Sequence, residues 1–254
     1  MAQRSATKPK TTRARSSGSG ALNAYLQESQ RPLAILAFLI PFMALHEVGS
    51  RLFHIELGAV SLLKLLIANF GIYGRNVPAI LVILTLLLWH LLARDTWRVR
   101  LNTLLGMAAE SLVFALPIFA ISLICQQFLP LASLPLTTVI SKQSLLSLWS
   151  LSLGAGVYEE LLFRLYLCGS IGLICRYLFG ATPRTSTIVA VMVSSILFSL
   201  YHYLGREPFG LFSFVFRTLA GIYFAGLFSS RGFGITAGSH ALYDVIVVTV
   251  AHSI

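Results

Sequence analysis

Seven stretches of this chain are too apolar to face water: residues 33–53, 77–93, 101–125, 145–177, 185–203, 209–229 and 234–254. Most reach the roughly 20 residues that an α-helix needs to cross about 30 Å of hydrocarbon. Backbone in lipid must satisfy its own hydrogen bonds, so runs of this kind form helices that bundle together. Of the 254 residues 56% are apolar and 11% charged, against about 25% charged in soluble domains, which excludes an ordinary water-soluble globule. The expected fold class is all-α, a polytopic transmembrane helical bundle of seven to eight spans.

Nineteen Lys and Arg stand against nine Asp and Glu, a formal charge of +10. Such a surplus suits nucleic acid or an anionic surface; the apolar content decides for the lipid bilayer, and no nucleic-acid partner is expected. Residues 1–24 hold Arg4, Lys8, Lys10, Arg13 and Arg15, no acid and almost no bulky apolar side chain. Composition therefore predicts a disordered basic tail over residues 1–30, although an Arg- and Ser-rich start also resembles a transit peptide. Transmembrane helices are expected over 31–140 and a second, catalytic group over 141–254. Cys125, Cys168 and Cys175 show no metal-type spacing and no disulfide framework.

Segment 59–73, broken by Lys64 and Asn69, either spans or lies at the interface. The positive-inside rule arbitrates. If it does not span, twelve cations fall on the cytoplasmic side and five (Arg51, Lys64, Arg75, Lys142 and Arg206) on the other; if it spans, the split becomes nine to seven. Seven spans are favoured.

Ten ionisable side chains sit inside apolar runs: Glu47, Glu110, Glu159, Glu160, Asp244, His46, His90, His202, His240 and Arg164. Each costs about 2.5–3.5 kcal/mol at mid-membrane on insertion scales, so such groups face a bundle interior or a cavity. Within Tyr158-Glu159-Glu160-Leu161-Leu162-Phe163-Arg164, positions four apart share a helix face, so Glu160 pairs with Arg164. Glu159 then points elsewhere without a local partner, a candidate general base. A later run ends in Phe198-x-x-x-His202, and the last carries His240-x-x-x-Asp244, again four apart. In that pair the carboxylate either holds the imidazole in one tautomer or points with it at a substrate oxygen. A Tyr-flanked histidine near a span end also suits an interfacial aromatic belt, as do Trp89, Trp97 and Trp149. Glu47 and Arg51 form a helix-face pair near the outer end, and Glu110 either faces the central cavity or bonds another span.

The order EExxxR, Phe-x-x-x-His, a span with Gly221 and Gly226, then His-x-x-x-Asp resembles the CPBP family, the CAAX proteases and bacteriocin-processing enzymes, related to the Ras-converting CAAX endopeptidase. The resemblance covers about residues 145–254 and implies an intramembrane endopeptidase acting on a membrane-associated or C-terminally anchored peptide or protein. By position it implies that Glu159 and His202 activate water, that Glu160 and Arg164 support them, and that His240 and Asp244 form the oxyanion site. Two positions depart from the family pattern. Asp244 stands where Asn is common; an ionised carboxylate would repel an oxyanion, so Asp244 either donates as the neutral acid or only orients His240. Leu165 stands where Gly often follows the Arg.

No cofactor is expected, although two His and a Glu could hold zinc with an open water position; there is no H-E-x-x-H helix. A transporter or proton pathway would use the same residue types, but the internal repeats that it predicts are not seen. A non-catalytic immunity-type membrane protein is the third class. The expected location is a cell membrane, with short basic loops that suit a bacterial inner membrane and a basic start that leaves an organelle membrane open.

Overall fold

The computed structural model describes residues 13–128, 144–204 and 207–253, and among these every regular element is helical. The elements are α1 (Arg13–Glu28), α2 (Pro32–Leu52), α3 (Gly58–Ala68), α4 (Val77–Ala93) and α5 (Leu101–Phe128). A long rod follows, made of α6 (Leu145–Glu160), a π-helical segment (Leu161–Cys168) and α7 (Gly169–Tyr177). Then come α8 (Pro183–Tyr201), a 3-10 turn (His202–Leu204), α9 (Leu211–Arg231) and α10 (Phe233–His252). Lys142 and Arg206, two of the cations assigned to outer loops, lie outside the described residues.

Among the described residues five helices are long and apolar enough to cross a membrane: Pro32–Leu52, Leu101–Ile124, Pro183–Leu204, Leu211–Arg231 and Phe233–His252. This is fewer than the seven to eight expected, for two local reasons. Helix α4 has 17 residues, the lower limit for a span, and the run 145–177 is three consecutive helical segments rather than one α-helix. Helix α3, with 11 residues, reaches about 17 Å, half the hydrocarbon thickness.

Polar contacts sort the helix ends. Arg31 lies 3.8 Å from Asp95 and donates to Thr96 at 3.1 Å; Gln30 donates to the Ser230 carbonyl. The starts of α2 and α5 and the ends of α4 and α9 therefore share one end of the bundle. Helices α2 and α4 run in opposite directions, as they must when α3 does not cross. Leu84, Leu88 and Leu92 on α4 and Leu105, Leu112 and Leu116 on α5 are exposed, the surface expected of helices in lipid.

The tail departs from its composition. Residues 1–12 lie outside the described residues, but the chain is helical from Arg13, where disorder through residue 30 is predicted. The helix ends on a charged cluster: Tyr25 Oη donates to Glu110 at 2.5 Å, and Glu110 is ion-paired with Arg231, whose guanidinium lies over the Tyr25 ring. Glu28 accepts from the Arg100 backbone N–H at 3.1 Å. A segment too polar to fold alone is ordered by docking on groups that the bundle end presents. Glu110 thus bonds another span, through Arg231 on α9.

Helices α6 and α10 make the closest contact of consequence for the site. A Cβ on Gly156 would meet the Ala237 carbonyl oxygen at 2.5 Å and Ala241 Cβ at 2.6 Å, and backbone cannot yield as a flexible side chain can. Small residues let helix backbones approach where no hydrophobic effect drives them together. At the far end Trp149 Nε1 donates to Thr249 Oγ1 at 2.9 Å, which fixes the antiparallel register. Gly156→Ala is expected to destabilise the protein by about 1–3 kcal/mol through overpacking, read as a lower melting temperature in detergent; an unchanged melting temperature would contradict this packing.

Candidate active site

Both helices that lead into the site begin with side-chain caps. Ser144 accepts from the Ser147 N–H at the start of α6, and Thr182 accepts from the Thr185 N–H at the start of α8, where Pro183 fits the first turn. The rod turns back into α8, and His202 follows the 19 residues of that helix. Glu159 lies a comparable distance back along the rod from Tyr177. The two therefore meet at one level although they sit on oppositely directed helices. At that level the rod passes from α-helix to π-helix, a form that often marks functional sites. No residue of α7 is buried, so this part of the rod stands clear of the core.

Six ionisable side chains converge there. Glu159 Oε2 is 4.0 Å from His202 Nε2 and 4.0 Å from His240 Nε2. Glu160 divides its oxygens: Oε1 accepts from His240 Nδ1 at 2.7 Å, and Oε2 is 3.0 Å from Arg164 Nε. Asp244 Oδ2 is 3.6 Å from His240 Nε2. Glu159, Glu160, Arg164 and His240 are buried, whereas the side chains of His202 and Asp244 keep 22% and 28% of their exposure. Water therefore has access from the His202 and Asp244 side. Glu160 therefore holds His240 Nδ1, while Asp244 and Glu159 both lie beside Nε2.

The i, i+4 spacing of Phe198 and His202 has a direct cause. His202 Nδ1 donates to the Phe198 carbonyl at 2.9 Å, so in the neutral ring Nε2 carries the lone pair. The Phe198 ring also stands edge-on to His202 at 5.1 Å and lies 4.4 Å beneath the Arg164 guanidinium. Phe224 stacks on His240 with ring centroids 4.7 Å apart. Arg164 Nη2 reaches the Gly221 carbonyl at 3.4 Å, while Nε and Nη1 have no hydrogen-bond partner among the described residues, so Arg164 meets Glu160 as an ion pair.

Sequence does not single out Tyr201, and it leaves the cross-helix partners of His46 and Glu47 unassigned. Tyr201 Oη donates to Glu159 Oε1 at 3.5 Å; its place beside His202 reads as an aromatic belt and conceals this contact. His46 donates from Nδ1 to the Ser150 carbonyl at 2.8 Å, a bond between α2 and α6. Glu47 is 3.8 Å from Arg51, as its spacing predicts, and also accepts from Tyr158 Oη at 3.4 Å. Beside these residues lies a cavity of about 720 Å³, lined by Glu47, Glu56, Leu57, Val60, Lys64 and Arg75 among others. Hydrogen bonding from Lys64 holds the Glu56 carboxyl below the usual carboxylate range. Cys168 and Cys175 are free thiols; the Cys125 side chain lies outside the described residues. Among the described residues no group of three or more His, Cys, Asp and Glu is gathered as a metal-binding set.

Residues 141–246 match the family model described as type II CAAX prenyl endopeptidase Rce1-like. This region of the chain is similar to that family. All six converging residues lie within the matched region. No curated protein and no solved structure matches the chain.

Arg164 touches Glu160 and Phe198 through a planar guanidinium that an ammonium does not reproduce. Arg164→Lys is expected to slow peptide cleavage about 10- to 100-fold, the effect of about 1.4–2.7 kcal/mol on the barrier. Wild-type cleavage rates in a folded Lys variant would contradict this role.

Proposed function

We propose that the protein is a glutamate-type intramembrane endopeptidase that hydrolyses a peptide bond of a membrane-associated or C-terminally anchored substrate. The observation that carries the reading is the spacing of Glu159 Oε2 from the two histidine Nε2 atoms, 4.0 Å in each case. That gap is too long for direct hydrogen bonding and wide enough for a water molecule to bridge.

A water there donates one O–H to Glu159 Oε2 and the other to the lone pair on His202 Nε2, which leaves an oxygen lone pair aimed at a scissile carbonyl. As oxygen attacks the carbonyl carbon, its proton passes to Glu159. The negative charge on the former carbonyl oxygen is met by His240 Nε2–H, a preorganised donor in a buried site. Because Nδ1–H is already donated to Glu160, this step needs His240 with both nitrogens protonated. Asp244, beside Nε2, aims the ring. Collapse of the intermediate breaks the C–N bond, and Glu159 returns its proton to the leaving amine. No step of this mechanism is routed through a metal.

The substrate is the part carried by family likeness, and two probes separate its forms. They are a quenched fluorescent peptide ending in a prenylated CAAX sequence and the same peptide without the prenyl group, presented in liposomes. Glu159→Gln, His202→Ala and His240→Ala are each expected to cut cleavage by about a thousandfold or more, as removal of a reacting group or an oxyanion donor does. Arg98→Ala leaves the rate unchanged. Asp244→Ala is expected to lose more activity than Asp244→Asn, which keeps a polar group beside Nε2. A folded Glu159→Gln protein that cleaves at the wild-type rate would refute the reading, and loss of activity on metal chelation would refute its metal-free form.

A further inference from the structure

The proposed reaction leaves Tyr201 without a part, although its hydroxyl reaches Glu159 Oε1, the oxygen turned away from the two histidines. The ring is held edge-on to His202 at 4.8 Å and tilted against Phe163 at 5.2 Å, so the hydroxyl has little freedom to swing. On its other side stands the first residue of α3. A Cβ on Gly58 would lie 2.6 Å from Tyr201 Oη but 3.4 Å from Cζ. The first distance is a clash and the second an ordinary contact, so what glycine makes room for at this position is the hydroxyl.

Gly58 does not adopt a left-handed backbone, and Ala is the better helix former. Neither conformation nor propensity therefore asks for glycine. The close approach does. Helix α3 is also a wall of the 720 Å³ cavity, through Val60, Lys64, Leu65 and Ala68, with Leu57 just before it. The Tyr201 hydroxyl is thus clamped between the cavity wall and the carboxylate read as the base.

We propose that Tyr201 is a positioning residue: seated on Gly58, it fixes one oxygen of Glu159 so that the other faces His202 and His240, and it passes the position of α3 to that carboxylate. The inference rests on the reading of Glu159 as the base. The bond of 3.5 Å is long, as catalytic hydrogen bonds often are before substrate binds and tightens them.

The test is a double-mutant cycle on the full chain in liposomes with the two fluorescent peptides, using Tyr201→Phe, Gly58→Ala, the double variant and Glu159→Gln as reference. Tyr201→Phe is expected to lower kcat about 3- to 10-fold with KM unchanged, the signature of a group that acts in the transition state rather than in binding. Gly58→Ala is expected to lower kcat at least as much. The double variant should match Tyr201→Phe alone, because phenylalanine lacks the atom that the new methyl strikes; melting temperatures should follow the same order. Losses that multiply in the double variant, or wild-type kcat in Tyr201→Phe, would overturn the inference while Glu159-dependent cleavage stands. Wild-type cleavage by Glu159→Gln would overturn the reading of the base and the inference with it.

Discussion

The site depends on Glu160, a buried carboxylate that reaches two partners at once. Its two oxygens join Arg164 on the same rod to His240 on α10. A buried charge left unpaired costs several kcal/mol, and removal of one partner from a buried pair typically costs about 3–5 kcal/mol. The arginine is therefore required for the carboxylate to remain in the interior, and the carboxylate in turn fixes the orientation of the imidazole. Glu159, one residue earlier, points away from this chain of contacts and is left to face His202 and His240 across a gap of water size.

Helix packing makes that arrangement possible. Glycine at 156 allows α6 to lie against α10 closely enough for Glu160 to reach His240, and the π-helical stretch after Glu160 carries Arg164 in a widened turn. Phe198 and Phe224 close the site with aromatic faces and edges against Arg164, His202 and His240. The charged groups are thus enclosed mainly by rings, which exclude bulk water and strengthen electrostatic interactions inside. The partial exposure of His202 and Asp244 leaves one hydrated side.

Features with a short sequence period were legible. The pairing of Glu160 with Arg164, the pairing of Glu47 with Arg51 and the membership of the helical membrane class all follow from spacing and composition. The convergence of Glu159, His202 and His240 was legible only through the order of three motifs, since nothing local to any one of them requires the others. What composition could not supply was non-local. The bond from Glu160 to His240 spans 80 positions, so the four-residue spacing of His240 and Asp244 gives no sign of it. Residues Arg13 to Glu28 read as an unfolded tail because the groups that order them, Glu110 and Arg231, lie far along the chain. Tyr201 read as an interfacial ring because the glycine that seats it belongs to another helix. Five helices among the described residues pass by length and composition where seven to eight spans are expected, because hydropathy does not distinguish one α-helix from a rod with a π-helical middle and α4 has only 17 residues.

The central claim is that Glu159 and His240, on different helices, act on one reacting group. The most direct measurement is single-turnover cleavage by Glu159→Gln, His240→Ala and the double variant at saturating enzyme. Groups that work as one unit lose their effects non-additively, so the account predicts a double variant about as slow as the slower single variant. A double variant slowed by the product of the two separate losses would contradict it.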